Sequence, residues 1–438
     1  MTSRANRYLL RSLPLATCLT WAGAAHAQTV STIIDPVVPV DFDRGRNTSV
    51  AREVDPHFRP VGVRMGGFQV YPSIMLTSGA TDNVYVNNSV KVSDAFFALQ
   101  PQVQARSNWS RHSLSIDASA DIYRYAHQTL RNREEYGVVA IGIAEVSSEI
   151  DIKGRINFDR RAESPFLNDL SADVSVLSQY SRFNPSLSVI YTGGHTRLTA
   201  TAERYTFRFS SASNPDGSIR DQAERDRDIN RAGVQADYAF TPSVAAYVQV
   251  NGEHTNYLSP RADGSANRDG DTFRVMGGLS LDLAGLLRGN VAAGYTRKKY
   301  DAQRYSDVGG LTIDSSLELF VTPLTTVALV AKSTLQDINN NVVNGAYRDI
   351  TFSADVSHAL LRNLLIKGRV AHIRRSPVES GDRIGQAIVQ TTLGAAYQAD
   401  RYTILSVNLG YGRGRPRDNS GSVSFDEFRG LLSIQLRL

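Results

Sequence analysis

From Arg64 to the C-terminus, apolar and polar side chains alternate in segments of about 10 to 15 residues, each bounded by turn residues or a charged polar stretch. In residues 112–126, Leu114, Ile116, Ala118, Ala120 and Ile122 fall at one parity, and Ser113, Ser115, Asp117, Ser119 and Asp121 at the other. Successive side chains of a strand point to opposite faces, so this period predicts a strand with one oily face and one wet face. Residues 150–161 repeat it more sharply, setting Ile152, Gly154, Ile156 and Phe158 against Asp151, Lys153, Arg155, Asn157 and Asp159. A charge at every second position would ruin the core of a soluble sandwich, because unpaired buried charge is so costly. In a membrane barrel the same face looks into water while the oily face meets lipid.

Eighteen such segments can be drawn, near 64–77, 93–107, 112–126, 135–147, 150–161, 179–192, 195–209, 228–240, 243–256, 271–284, 289–301, 309–321, 324–337, 345–359, 363–376, 383–398, 401–414 and 424–438. Short connections, such as Gly193-Gly194, Thr241-Pro242 and Thr322-Pro323, tend to alternate with long ones, such as 78–92, 162–178, 210–227 and 257–270. Tight periplasmic turns and long external loops are the asymmetry of an outer-membrane barrel, and an even strand count puts both termini on the periplasmic side. Closure is required, because an open sheet edge in hydrocarbon leaves backbone groups unpaired. The expected fold is therefore all-β: a transmembrane antiparallel β-barrel of about 18 strands in an up-and-down meander, occupying residues 64–438.

The N-terminus fits export. Arg4, Arg7 and Arg11 precede an apolar stretch from Leu13 to Ala25, which ends in Ala25-His26-Ala27 before Gln28. This order is that of a secretory signal, with cleavage expected after Ala27. Losing residues 1–27, with three Arg and no acids, lowers the formal net charge from +5 to +2. Cys18 is the only cysteine and leaves with that segment, and Thr17 is a poor residue before a lipidated cysteine. The mature chain then has no thiolate for chemistry and no disulfide. Residues 28–63, with Pro36, Pro39, Pro56 and Pro60, read as an irregular periplasmic lead-in. No later apolar run approaches the roughly 20 residues of a membrane-crossing helix. Nineteen Tyr against two Trp, with Tyr71, Tyr123, Tyr191, Tyr238 and Tyr402 near strand ends, suit either interfacial girdles or plain strand propensity.

The residues Arg64-Met65-Gly66-Gly67-Phe68-Gln69-Val70-Tyr71-Pro72-Ser73, followed by Thr81-Asp82-Asn83-Val84, resemble the opening of the putative β-barrel porin 2 family. So does Ser107-Asn108-Trp109-Ser110-Arg111-His112-Ser113-Leu114, after Leu99-Gln100-Pro101-Gln102. The likeness is specific over residues 64–126 and extends further only as strand rhythm. It implies an outer-membrane barrel working in exopolysaccharide or capsule export, with a secreted polysaccharide and periplasmic export proteins as partners. The last strand, alternating Leu432, Ile434, Leu436 and Leu438 with Ser433, Gln435 and Arg437, resembles the signal read by barrel-insertion machinery, although Leu438 stands where an aromatic is usual.

Strand parity assigns to the pore lining Arg106, Asp117, Asp121, Asp151, Lys153, Arg155, Asp159, Asp237, Glu253, Asp282, Asp314, Glu318, Lys332, Asp355, Lys367, Arg369, Arg429 and Arg437. Both signs are mixed, which suits neutral or weakly anionic sugars better than a steep ion filter; the same charges can also simply pair across strands. No catalytic, cofactor-binding or metal-binding residue is assigned. His57, His112, His127, His195, His254, His358 and His372 have no metal-ligand spacing. His112 and Ser113 are adjacent on a strand, so they face apart and cannot act as base and nucleophile. The run Asp216, Arg220, Asp221, Glu224, Arg225, Asp226, Arg227 and Asp228 could hold divalent cations or lipopolysaccharide phosphates, or be a solvated loop. Outer-membrane lipid and lipopolysaccharide are expected partners, and nucleic acid is not. Three functions remain open: a polysaccharide conduit, a general diffusion porin for small hydrophilic solutes, and a surface enzyme or adhesin on a barrel scaffold.

Overall fold

A computed structural model describes residues 49–51, 55–89, 91–163, 177–213, 218–337, 346–378, 385–416 and 424–438. The expected signal segment and most of the lead-in lie outside the described residues. The rest forms one closed antiparallel barrel of eighteen strands. They are β1 (Phe68–Thr81), β2 (Asp94–Ser107), β3 (Ser113–Tyr125), β4 (Arg133–Glu145), β5 (Ile150–Ala162) and β6 (Gln179–Gly193). Next come β7 (Thr196–Phe209), β8 (Arg227–Thr241), β9 (Val244–Tyr257), β10 (Gly270–Leu283), β11 (Leu287–Tyr300) and β12 (Val308–Thr322). The chain finishes with β13 (Thr325–Asp337), β14 (Ala346–Leu361), β15 (Leu364–Pro377), β16 (Gln386–Gln398), β17 (Thr403–Pro416) and β18 (Phe425–Arg437). Each strand pairs with the next in sequence, and β18 closes on β1 from Ser73↔Arg437 to Thr81↔Arg429.

Eight short turns lie at the end that carries Phe68 and Arg437, and nine longer connections lie at the other. These are called here the short-turn end and the long-loop end. Gly194 makes one of the two-residue short turns possible by adopting a left-handed φ of 54°, which a side chain rarely accepts.

The alternation read from the sequence decides which way each strand faces. Along β17, Leu405, Val407, Leu409 and Tyr411 are exposed while Ser406 and Asn408 between them are buried. The molecule is thus inverted relative to a soluble protein: polar side chains crowd a concave interior, and Leu432, Leu393, Ile156 and Leu187 stand out on the convex wall. So much exposed aliphatic surface is unfavourable in water by about 25 cal/mol per Å2, so the wall requires lipid. Outward rings mark its borders, with Tyr191, Tyr238, Phe240 and Tyr402 toward the short-turn end and Phe97, Tyr136, Phe273 and Phe428 toward the long-loop end. Tyr71 and Tyr123 do not join them. Their parity puts them inside, where Tyr123 lies under Arg133 at 3.8 Å.

Most strand ends lie within two residues of the sequence pattern, and two of the departures show why it slips. The first strand was expected over 64–77, but Gly66, with φ of 58°, turns the chain back so that Val63–Met65 pairs with Phe68–Val70. The barrel strand β1 therefore starts four residues later than the alternation alone predicts. Conversely, β4 starts at Arg133, inside what reads as a charged loop, because Arg133 and Glu135 face inward and pair at 2.8 Å. The lead-in also touches the barrel: Ser49 and Val50 are buried, and the Val50 amide donates to Thr326 Oγ1 at 3.1 Å.

Candidate functional site

The interior face is the one place where the chain collects chemistry. The strand register puts all eighteen side chains selected by parity on that face, opposite the exposed aliphatics. Among them Lys332 meets Asp314 at 3.8 Å and Arg369 meets Asp355 at 3.6 Å. Others bind charges that the sequence reading passed over: Asp121 takes Arg161 at 2.9 Å, Asp159 takes Arg182 at 2.8 Å, and Arg429 takes Glu427 at 2.7 Å. Arg231 sits between Glu203 at 3.1 Å and Glu253 at 3.7 Å, tying three consecutive strands together. Asp237 accepts from Gln235 at 2.8 Å, and Arg437 donates to the Phe58 carbonyl at 2.8 Å, anchoring the lead-in beside the short-turn mouth. Arg155 faces Ile141 and Ser186 on the neighbouring strands. Arg106, Asp151, Lys153, Asp282, Glu318 and Lys367 are likewise engaged with neighbours. Asp117 lies opposite Val139 and Gln104.

Toward the long-loop end the interior fills with aromatic rings and arginines. Tyr180, Phe207, Phe209 and Ile229 form one cluster, capped by Arg225 stacked 4.1 Å from the Phe209 centroid. Arg225 pairs with Glu163, Nη1 to Oε2 at 3.0 Å, with side chains only 3% and 2% exposed. In a second cluster Asp337 accepts from Lys298 at 2.7 Å, Tyr300 at 2.9 Å and Tyr257 at 3.0 Å. A third holds Arg375 in a two-pronged contact with Asp349, at 3.0 and 3.1 Å, over the Tyr347 ring. Such forked pairs are the strong form of charged hydrogen bond, and they lock strands as well as charges. Both signs also line a cavity of about 70 Å3 that Arg227, Arg274 and Lys298 share with Glu253, Tyr257 and Asp337.

Loops supply part of this filling. Arg268, from the connection after β9, is pulled down in pKa by burial, but Tyr257 and Asp337 facing it outweigh this and leave it raised. Burial pushes the loop guanidinium of Arg131 down, to about 10, which still leaves it charged at neutral pH; it lies 4.6 Å from the Tyr85 ring. The described part of the acidic and basic run before β8 is largely tied to the barrel. Arg225 and Arg227 turn inward, Glu224 accepts from the Ala262 amide, Asp226 from the Phe209 amide, and Asp228 binds Arg204 and Arg208. Asp216 lies outside the described residues.

Among the described residues no group of three or more His, Cys, Asp or Glu side chains is arranged to hold a metal ion. His254 lies 2.9 Å from Asp271, and His127 meets Asp94 through its ring at 3.0 Å and its backbone amide at 2.9 Å.

Glu203, Arg231, Arg161 and Arg182 sit on strands at the inward parity, so the same count of every second residue identifies them once it is carried to each strand end. Glu163, Arg225, Arg131 and Arg268 carried no such signal, because they enter through loop folding.

A family model described as putative beta-barrel porin 2 matches residues 55–438. No curated protein sequence matches the chain. Among solved structures, the outer membrane protein opdK of Pseudomonas aeruginosa is 13% identical, with 84% of this chain and 99% of that one covered and a TM-score of 0.45. OccK2 (OpdF) of Pseudomonas aeruginosa is 14% identical, with 84% and 98% covered and a TM-score of 0.46. OccAB3 of Acinetobacter baumannii is 8% identical, with 84% and 99% covered and a TM-score of 0.44. At that level of similarity they say nothing of what passes through this barrel.

Proposed function

The chain belongs to the putative beta-barrel porin 2 family, and on that premise we propose that it is a diffusion channel for small hydrophilic solutes across the bacterial outer membrane. The observation that carries the reading is the enclosed face: eighteen strands close on themselves and turn Ser, Thr, Asn, Gln and charges of both signs inward. A barrel of this strand number is wide enough to admit water, and mixed charge lets small polar solutes exchange hydration for protein contacts without meeting one repelling sign. The short-turn end, which carries both strand termini, then faces the periplasm, and the long loops face outward.

The role in polysaccharide export implied by the family resemblance has no feature here that favours it. A polymer needs a continuous wide bore, whereas Glu163–Arg225, Asp337–Lys298 and Arg375–Asp349 gather with their aromatic partners in the long-loop half. Small solutes fit beside such clusters. The test is reconstitution of the purified barrel in planar bilayers. Stepwise conductance in salt, with cations and anions passing at similar rates, is the expected result; a protein that inserts and folds but never conducts would overturn the proposal.

A further inference from the structure

Charge on the outward wall is confined to one end. Toward the short-turn end the outward positions are Tyr191, Leu198, Phe240, Leu283, Val321, Leu360 and their neighbours, and among the described strand residues they include no Asp, Glu, Lys or Arg. Toward the long-loop end the outward positions include Arg124, Arg160, Arg204, Arg208, Arg297, Lys299, Arg374, Arg413 and Arg415, against only Glu134, Asp228, Asp271 and Asp426. Most of these acids are already occupied. Asp228 holds Arg204 and Arg208, Glu134 holds Arg124, and Asp426 holds Lys91.

Three arginines cluster in one place with fewer carboxylates than cations among the described residues around them. Arg374 on β15 and Arg415 on β17 flank Ala387 of β16 in the same row, and Arg413 lies two positions along β17, opposite Val389. All three are exposed; Arg413 lies opposite Asp426 of β18, but that carboxylate is already held by Lys91 and Asn88. Only the small Ala387 side chain stands between Arg374 and Arg415 in that row. Directly down β17 from them stand Tyr411, Leu409, Val407 and Leu405, all facing outward and apolar. Leu405 and Val407 border a concave apolar groove of about 930 Å3 that crosses the seam between β18 and β1, with Leu432, Ile434 and Leu76 on its other side.

From this placement we infer that Arg374, Arg413 and Arg415 form a binding patch for the phosphate of a phosphorylated glycolipid in the outer leaflet, with its acyl chains against the outward apolar face of β17 and the seam. Guanidinium forks match phosphate oxygens two by two, and they sit at the level where hydrocarbon gives way to headgroups. The apolar column below the cations selects an anion fixed at that boundary over one free in solution. Arg204 and Arg208 are less suited because Asp228 already neutralises part of their charge.

The test uses the full barrel in detergent and three probes: lipid A carrying both phosphates, the same lipid dephosphorylated, and inorganic phosphate. The folded wild-type protein should retain intact lipid A, lose it about tenfold more readily after dephosphorylation, and not release it to millimolar inorganic phosphate. The combined Arg374→Gln, Arg413→Gln and Arg415→Gln variant should weaken retention by a similar factor, while Arg204→Gln with Arg208→Gln changes it less than about twofold. Arg413→Gln alone, with a smaller loss, covers the case in which the combined variant fails to fold. Equal retention by folded wild-type and variant protein, or displacement by inorganic phosphate, would overturn the assignment. The readout does not depend on conductance, so it stands or falls separately from the channel proposal.

Discussion

The middle of the lumen and its long-loop half are built on the same strand alternation, yet their ion pairs differ in kind. At mid-barrel Lys332–Asp314 and Arg369–Asp355 are long, at 3.8 and 3.6 Å, and the second pair is 31% and 35% exposed. Near the loops Arg375–Asp349 closes to 3.0 Å with each side chain 7% exposed, and Arg225–Glu163 is more secluded still. The difference lies in what surrounds the charges. Loop residues and inward rings such as Tyr180, Phe207 and Phe209 take the place of water in one half, whereas water can reach the other. The secluded pairs hold the barrel's shape, and on the channel proposal the solvated pairs are those a passing ion would meet.

The largest expected effect therefore falls on the most secluded pair. Glu163→Ala should strand the Arg225 guanidinium against Phe209 without a counter-charge, a loss of about 3–5 kcal/mol for a buried pair broken on one side. Removing both charges together, as Glu163→Leu with Arg225→Met, should be far milder, since neither ion is then left alone. Urea unfolding of the barrel in lipid vesicles measures both. A single variant as stable as the double would show that water reaches this site and that the two halves of the lumen do not differ as described.

Somewhat smaller is the effect of charge on the wall. Ile156 stands at the centre of β5 and is 53% exposed on the outward face, so Ile156→Arg should cost about 2–4 kcal/mol at the membrane midplane. The neighbouring Asn157, on the inward face, is not a neutral control, because it is 6% exposed and donates to Asp159 at 2.8 Å. Asn157→Arg should also destabilise, by bringing a cation against the Arg182–Asp159 pair, whereas an inward substitution at the better-solvated Arg369 should be tolerated. Refolding yields into vesicles rank the three. If Ile156→Arg inserts as well as Arg369→Gln, the wall does not face lipid.

The alternation made the strands and their facing legible, because a period of two is a local property that closure reinforces without altering. It failed at Gly66, where a left-handed turn precedes the barrel strand, and at Arg133, which reads as loop but pairs with Glu135 inside the barrel. The mid-lumen charges were legible for the same reason, since Asp314, Lys332, Asp355 and Arg369 sit on regular strands. The loop-borne Glu163 and Arg225 were not. They are 62 positions apart and lie beyond the ends of their strands, where strand parity gives no guide. Selection of charges by strand parity therefore finds the solvated half of the lumen better than the secluded half.

The smallest energetic effect is the most informative about conduction. Asp355 and Arg369 face each other on β14 and β15 at a separation and exposure where solvent screens them, so either one alone contributes less than about 1 kcal/mol to stability. Their fields still act on an ion passing within a Debye length of about 8 Å at physiological salt. Arg369→Gln removes the ion-pair partner of Asp355 and should shift the reversal potential under a salt gradient toward cation preference, and Asp355→Asn should shift it toward anions by a comparable amount. The double variant should return close to wild type. Raising the salt concentration should shrink both shifts, as screening requires. The same pair of substitutions at Arg375 and Asp349 should instead lower the yield of folded barrel, because there each charge depends on its partner for want of water. Were the reversal potential indifferent to Asp355 and Arg369 in a conducting protein, the ions would not be passing the mid-barrel face, and the contrast between a structural and a conducting set of charges would have to be abandoned.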